Sequence, residues 1–140
     1  MIREATPVDI PAISALWEQM VREMRPGWTP RRDIWEEMCR TLMDQPFYTV
    51  LVAEGNGIVG FADGMIFIEP STGQVHGVGQ HFYVIPEQRG FVGGILYREI
   101  VSRALAGGAK VLEFFCFPEE LSLWGRHGYQ PARAMVRLNV

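Results

Sequence analysis

A cluster of one arginine and three glycines past the middle of the chain has the residue types and spacing that bind phosphate. It consists of Arg89, Gly90, Gly93 and Gly94, and it follows a β-rich run at 80–85 and precedes helical apolar spacing. A helix start presents N–H groups without intrahelical partners, and the peptide dipoles place roughly +0.5 charge there. Glycines admit a bulky ligand, and a guanidinium binds phosphate oxygens in a bidentate manner. The pattern indicates an anion site, with a tight structural turn as the alternative.

Two other phosphate-binding motifs fit this segment poorly. A Walker loop requires GxxxxGK[ST], and residues 90–95 contain no lysine followed by a hydroxyl residue. A dinucleotide fingerprint requires GxGxxG in a first βαβ unit, whereas this segment lies past the middle of a 140-residue chain. The first motif is excluded and the second is disfavoured.

The same segment resembles the signature of the GNAT superfamily of N-acetyltransferases, V-x-P-[EDQ]-x-R-G-x-G-x-G. It reads VIPEQRGFVGG over 84–94, with Val92 at the place of the family's second glycine. Three further segments are similar to family patterns: the opening strand and capped helix at 2–13, the hairpin at 52–62 and the closing pattern at 123–129. The resemblance therefore covers nearly the whole chain.

The resemblance implies an α/β, single-domain acyl-CoA N-acyltransferase fold over residues 1–140, with a mixed, mostly antiparallel sheet and helices on both faces. It implies direct transfer of an acetyl group from acetyl-CoA to a primary amine of a small molecule or protein, with no acyl-enzyme and no metal. In such a site the loop binds the CoA pyrophosphate, the backbone N–H near position 84 polarises the thioester, and pantetheine pairs with the strand edge. The residues so assigned to acetyl-CoA are Val84, Arg89, Gly90, Phe91, Val92, Gly93 and Gly94.

The residue that removes a proton from the amine is less clear. The family often places a carboxylate on the central strand, four or six residues before the valine at 84, and the nearer place holds Gln80. Gln80 cannot take a proton but can orient a water molecule. His81 can take one, but strand alternation points it to the opposite face unless the strand carries a bulge. Gln80 and His81 are the candidate catalytic residues, with Glu69 and His76 as further candidates.

The general acid of the family has no counterpart in this chain. The tyrosine that often protonates the departing thiolate aligns with Trp124, and the family's asparagine aligns with Phe117. An indole N–H donates a hydrogen bond but is not a useful proton donor near neutral pH. The alternative function is therefore a CoA-binding regulatory or scaffold module with little or no turnover.

The elements that must position these residues follow the order βααβββαβαβ. Strands are predicted at 1–5, 47–53, 58–68, 75–85, 110–117 and 132–140, and helices at 6–24, 31–43, 95–105 and 118–127. The Asn-Gly pair at 56–57 predicts a hairpin turn. Trp28, in the break between the first two helices, is the candidate substrate-pocket residue, whereas Trp35 and Met38 have helical spacing that is typical of core residues.

Composition agrees with one small enzyme domain. The chain has 140 residues, 48% of them hydrophobic, and a net charge of −3 without a basic stripe, which disfavours a nucleic-acid partner. No apolar run approaches the roughly 18 residues of a membrane span, and no signal peptide is evident, so we expect a cytoplasmic protein. Cys39 and Cys116 lack metal-ligand spacing and are predicted to be reduced. Acetyl-CoA and an amine are the expected partners, and a homodimer is considered as the assembly.

Overall fold

Five strands form one sheet in sequential order. The computed structural model describes residues 1–133 and 136–140. Its strands are β1 (Ile2–Glu4), β2 (Tyr48–Gly55), β3 (Gly57–Ile68), β4 (Val75–Val84) and β5 (Val111–Phe114). The first four strands pair antiparallel with their neighbours, and β5 pairs parallel with β4. The sheet is therefore mixed and mostly antiparallel, as predicted.

Four helices accompany the sheet: α1 (Ile10–Met24), α2 (Arg32–Met43), α3 (Arg89–Ala106) and α4 (Leu121–Arg126). Because β4 and β5 run parallel, their connection must cross over, and α3 makes that crossover. The hairpin between β2 and β3 turns at Asn56 and Gly57, where Gly57 has a φ of 86° in the left-handed region that glycine adopts readily. The predicted element order is confirmed up to α4.

The two faces of the sheet bury different side chains because successive strand residues alternate. Phe61 packs with α1 and α2 on one face, here called the α1/α2 face, and its neighbour Ala62 packs with Leu96 and Ile100 of α3 on the other, the α3 face. Helical spacing supplies the matching sides, as with Trp35 and Cys39, which lie one turn apart on α2 and are both buried. Helices thus cover both faces, as predicted.

An ion pair fixes the junction of β1 and α1. The Asp9 carboxylate accepts the Thr6 backbone N–H at 2.8 Å and two hydrogen bonds from Arg3 at 2.7 and 2.9 Å. The Arg3 guanidinium holds the pKa of Asp9 well below its usual range. This is the helix start that the sequence predicted, with Thr6 and Asp9 in the capping positions.

The structure differs from the prediction in the start of one helix and in the absence of the last strand from the described residues. The helix expected from residue 95 begins at Arg89, after a single 3-10 turn at Pro86–Gln88. The last predicted strand, 132–140, is absent from its described part, and residues 134 and 135 lie outside the described residues. The first difference changes the candidate site, because the glycine-rich segment is helix rather than loop.

Candidate active site

A bulge in β4 determines where His81 points. Gly79 pairs with Gly64 and His81 pairs with Asp63, so Gln80 is an extra residue on β4 with no partner on β3. A Cβ at Gly79 would meet the Phe114 ring on the α3 face. Simple alternation would place residue 81 on that same face, but the bulge turns His81 to the α1/α2 face. The condition attached to His81 in the sequence prediction is therefore met.

His81 is held by a buried carboxylate that the sequence reasoning missed. Asp63 on β3 is 1% exposed. Its Oδ1 accepts the His81 backbone N–H at 2.7 Å and lies 2.9 Å from His81 Nδ1, and its Oδ2 accepts the Tyr48 hydroxyl hydrogen bond. A signal was present in the sequence: Asp63 stands inside the apolar run 58–68, where a buried charge needs several donors.

The hydrogen bonds assign the proton positions of this group. Burial, followed by the charge of Asp63, raises the pKa of Tyr48, so its phenol stays protonated and donates. Because the Asp63 carboxylate is an acceptor, His81 Nδ1 carries the proton and Nε2 carries the lone pair. Nε2 makes no hydrogen bond with any described residue, and the side chain is 26% exposed. His81 can therefore accept a proton at Nε2 while Asp63 stabilises the resulting charge.

The same stretch of β4 has a free edge. The pairing of β4 with β5 ends at Gly79 and Phe114, and the Phe115 N–H to Gly79 carbonyl bond of 3.0 Å follows it. The Ile85 N–H bonds the Val59 carbonyl at 3.0 Å, toward β3. Since strand groups alternate in direction, the N–H of Val84 points to the free edge. Val84 thus presents a backbone donor beyond the end of β5.

The glycines at the start of α3 leave open space. The Gln88 N–H bonds the Ile85 carbonyl at 3.0 Å, and the Arg89 N–H bonds the Pro86 carbonyl. This leaves Gly90 and Phe91 as first-turn amides without an acceptor inside the helix. A Cβ added at any of three positions would meet no atom within 4 Å, namely Gly90, Gly93 and Gly94. Gly90 and Gly94 are exposed, so a ligand can approach the backbone closely at these two positions, whereas Gly93 is buried.

Arg89 is already engaged within the protein. Its Nη2 lies 2.6 Å from both carboxylate oxygens of Glu23 at the end of α1, and its Nε donates to the Val84 carbonyl at 3.0 Å. The Tyr83 hydroxyl donates to Glu23 at 2.9 Å. The Arg89 guanidinium lowers the pKa of Glu23. In this arrangement Arg89 neutralises a carboxylate of its own chain.

Trp124 lies in a group of aromatic rings between α3 and α4. It stacks on Phe114 with ring centroids 4.7 Å apart, and its edge contacts Tyr129 at 5.3 Å. The hydroxyl groups of Tyr129 and Tyr97 are 2.9 Å apart. Burial, then the Tyr97 hydrogen bond, raises the pKa of Tyr129. Position 124 carries no hydroxyl, but two phenols are its close neighbours.

The structure brings some predicted site residues together and not others. His81, Val84 and the start of α3 belong to one continuous segment that runs along the free edge of β4. Gln80 lies at the bulge and is half-buried. Trp28 is 51% exposed, and the Arg137 guanidinium lies 5.2 Å from its ring centroid. Trp28 is thus in contact with the chain's own C-terminal segment.

The described residues contain neither a metal-binding cluster nor a membrane-spanning helix. Within residues 1–133 and 136–140, no cluster of three or more histidine, cysteine or acidic side chains is arranged to hold a metal ion. In the same ranges, no helix has the length and apolar character needed to span a membrane.

The mixed sheet with helices on both faces matches the acyl-CoA N-acyltransferase fold that the sequence implied. No protein-family model and no curated protein matches the sequence. Among solved structures, a transcriptional regulator from Bacillus halodurans is similar over 100% of this chain and 99% of its own, with a TM-score of 0.83 and 16% identity.

Two acetyltransferase structures have the same architecture. A predicted acetyltransferase with acetyl-CoA from Clostridium acetobutylicum matches 99% of this chain and 95% of its own, with a TM-score of 0.79 and 19% identity. An acetyltransferase from Trypanosoma brucei matches 100% of this chain and 99% of its own, with a TM-score of 0.73 and 17% identity. At these identities the similarity establishes the fold alone: the chain has the same α/β fold as these acetyltransferase structures.

Proposed function

We propose that this protein is an acetyl-CoA-dependent N-acetyltransferase that acetylates a primary amine of a small molecule or protein by direct attack. The observation that carries the proposal is the hydrogen-bonded pair of His81 and Asp63, which the bulge places next to the free edge of β4. The fold supports the same class of activity, since its neighbours from Clostridium acetobutylicum and Trypanosoma brucei are described as acetyltransferases.

His81 is the general base of the proposed reaction. An amine must lose a proton to attack a thioester, and Nε2 of His81 has the free lone pair for it. Asp63 fixes the ring orientation and the tautomer, as a buried carboxylate does for a catalytic histidine. Gln80, at the bulge, cannot take a proton and instead orients the amine or a water molecule. General bases of this kind contribute roughly 10²- to 10⁴-fold to a rate.

The residues of β4 and α3 fit the acyl donor. Acetyl-CoA supplies an activated thioester when it is bound. The Val84 N–H at the free strand edge donates to the thioester carbonyl, where charge develops. The amides of Gly90 and Phe91 face the pyrophosphate, and the open space at the exposed Gly90 and Gly94 admits it. Val92 supports this turn, because it is half-buried against the core of the α3 face.

Protonation of the departing thiolate needs a donor other than Trp124. Tyr97 and Tyr129 surround that position, and their hydroxyl groups share a hydrogen bond of 2.9 Å. Cys116 is a further thiol nearby in sequence, and burial raises its pKa, so it stays protonated. The raised pKa of Tyr129 keeps its phenol protonated, so this hydroxyl can donate a hydrogen bond that stabilises the departing thiolate.

A CoA-binding module with little turnover is the second candidate. Two observations favour it: position 124 has no hydroxyl, and Arg89 is engaged by Glu23. The neighbour from Bacillus halodurans is described as a transcriptional regulator. Acetyl-CoA that binds tightly without thiol release in the presence of any amine would favour this function over catalysis.

The test is thiol release from acetyl-CoA across a panel of primary amines, in the wild type and in Asp63→Asn. We expect the substitution to lower kcat/KM about 100-fold or more, because it removes the negative charge that holds the His81 tautomer and stabilises the protonated ring. Asp33→Asn is the matched control, since Asp33 lies on α2 and is exposed. Circular dichroism confirms folding, and His81→Ala provides an independent variant.

The outcomes separate the two parts of the proposal. No thiol release from the wild type with any amine would refute the transferase. If folded Asp63→Asn and His81→Ala both release thiol at the wild-type rate, the protein is still a transferase, but His81 is not its general base and Asp63 does not position it. Assignment of residues 1–140 to one domain, a cytoplasmic location, the absence of nucleic-acid and membrane partners, and a homodimer stay predictions.

A further inference from the structure

A second group of charged side chains lies on the α1/α2 face, at the end of the sheet away from the start of α3. Glu69 directly follows β3, and Glu113 lies on β5. One nitrogen, Arg133 Nη2, reaches both, at 3.1 Å from Glu113 Oε1 and 3.5 Å from Glu69 Oε2. A single cation thus bridges two carboxylates, and the group keeps a net negative charge.

The bridging cation is far more exposed than the carboxylates. The side chains of Glu69 and Glu113 are 18% and 20% exposed, whereas that of Arg133 is 61% exposed. Ion pairs with an exposed partner contribute little to stability, so Arg133 can be exchanged for another cation at small cost. The backbone N–H of Ser71 bonds Glu69 Oε1 at 3.1 Å and holds this carboxylate in place.

A buried histidine with an unpaired nitrogen faces the same group. The His76 side chain is 9% exposed, and its Nδ1 lies 3.4 Å from Glu113 Oε1. Nδ1 has no hydrogen-bond partner among the described residues. A buried polar atom in that state costs free energy unless a ligand pairs with it. An ammonium or guanidinium group carries enough N–H donors to bond Glu113 and Nδ1 together.

The strand register gives the distance of this group from His81. Gly77 and Gly79 face α3, because a Cβ there would meet Ala104 and Phe114, so His76 and Val78 lie on the α1/α2 face with His81. Glu113 pairs with Val78, and Val78 pairs with Met65, two residues from Asp63 on β3. The levels of Glu113 and His81 are therefore two strand residues, about 7 Å, apart along the sheet, and Glu113 lies one strand, about 4.8 Å, to the side of His81. The apolar pair Met65 and Val78 lies between the two sites on this face, with Met65 half-buried and Val78 buried.

We propose that Glu69, Glu113 and His76 form a subsite for the distal cation of the amine acceptor, which is a diamine or amino-guanidine with a spacer of about four or five carbons. The proposal rests on the proposed function for the role of His81 at the reacting amine. The methylene spacer lies over Met65 and Val78, and the guanidinium of Arg133 occupies the place of the distal cation when no substrate is bound.

The test is calorimetric titration of the full chain, without acetyl-CoA, with 1-amino-4-guanidinobutane and with 1-aminohexane, which lacks the second cation. We expect the amino-guanidine to bind at least 10-fold more tightly. Glu113→Gln should remove most of that difference, whereas Glu119→Gln, an exposed glutamate near α4, should leave it unchanged. Arg133→Gln should tighten binding several-fold, because it removes the competing cation.

Equal affinities for the two amines in the wild type, or no measurable binding of the amino-guanidine, would overturn the subsite. Should Glu113→Gln fail to fold by circular dichroism, Glu69→Gln replaces it, with the same expected loss. Binding does not require acetyl transfer. Failure of the subsite is therefore distinguishable from failure of the transferase, which thiol release reports.

Discussion

Arg89 has two competing anionic partners in the proposed enzyme. In the structure its guanidinium lies 2.6 Å from the Glu23 carboxylate, and the proposed ligand would bring a pyrophosphate to the same helix start. A guanidinium that serves the ligand must at least partly leave Glu23. The ion pair therefore either opposes acetyl-CoA binding, by competing for Arg89, or favours it, by positioning the start of α3.

Glu23→Gln distinguishes these roles. We expect acetyl-CoA to bind about 3- to 10-fold more tightly, because removal of one charge of a partly exposed pair changes free energies by about 1 kcal/mol. Isothermal titration calorimetry measures the change, with Glu37→Gln on the exposed side of α2 as the control. Weaker binding in Glu23→Gln would show that the pair organises the site instead.

Trp124 gives a second prediction for a single residue. Trp124→Tyr places a hydroxyl at the position where the family resemblance puts the general acid. If loss of the thiolate limits the wild type, kcat should rise by up to about 100-fold in steady-state assays. Trp124→Phe is the matched control, since it also shortens the ring stacked on Phe114 but adds no hydroxyl. Equal kcat values for the Tyr and Phe variants would reject a missing acid as the limiting feature.

His81 and Asp63 show how far single residues can be predicted. His81 was a candidate because of its chemistry, but its direction depends on one extra residue at Gln80, and alternation alone could not reveal that bulge. Asp63 was detectable in principle as a charge inside an apolar strand. Its contact with His81, 18 residues away, depends on the register of β3 and β4, which the hairpin turns alone do not fix.

Helix α3 carries the proposed anion site on its first turn. The sequence predicted a glycine-rich loop to residue 94, because glycine has the lowest helix propensity after proline. The structure extends the helix back to Arg89, where Leu96 and Ile100 anchor it to the sheet and Gly93 is buried. Tertiary packing has overridden local propensity. A helix that begins at Arg89 leaves only its first-turn amides free, so it offers a ligand fewer N–H donors than a loop to residue 94 would.

Gly94→Asp tests the position of the ligand relative to this helix. A side chain here meets no atom within 4 Å outside its own helix backbone, and replacement of a helical glycine stabilises a helix by a few tenths of a kcal/mol. We therefore expect an unchanged or higher Tm together with at least 10-fold weaker acetyl-CoA binding by calorimetry. Ser102→Asp, exposed and two turns further along, is the charge-matched control. Unaltered affinity in Gly94→Asp would place the pyrophosphate elsewhere.

At the scale of the whole molecule, short-range signals predicted most of the topology. The Asn56–Gly57 turn fixes the β2 and β3 hairpin, and the helix between β4 and β5 is the long connection that a parallel pair needs. The C-terminal segment was not predictable in this way. Its described contacts are long-range ones, between Arg133 and two glutamates and between Arg137 and Trp28, and no local pattern encodes them.

Folding shifts the pKa values of several groups in two opposite directions. Arg3 lowers the pKa of Asp9, and Arg89 lowers that of Glu23, so these carboxylates stabilise the fold above pH about 4 and lose that contribution as the pH falls. Burial raises the pKa of Tyr48, Tyr83 and Cys39, and their contribution is lost as the pH rises. Stability should therefore be greatest between about pH 5 and 8.

The alkaline side of this curve tests the buried thiol in α2. Cys39 is 4% exposed, and burial raises its pKa to about 12, so its stabilising contribution is complete below the unfolded value of about 8.5 and is lost as the pH rises toward the folded value. Each pH unit in that window is worth about 1.4 kcal/mol. Cys39→Ala should be less stable than the wild type at pH 7, since it leaves a small cavity. Its free energy of unfolding should nevertheless fall by about 2 kcal/mol less than that of the wild type between pH 7 and pH 10, measured by urea unfolding under reducing conditions.

Cys116→Ala is the control, because that thiol is only half-buried and its removal should change the pH dependence of stability less. Parallel losses in the wild type and Cys39→Ala would show that Cys39 ionises as readily in the folded chain as in the unfolded one, and that the tyrosines determine the alkaline limit.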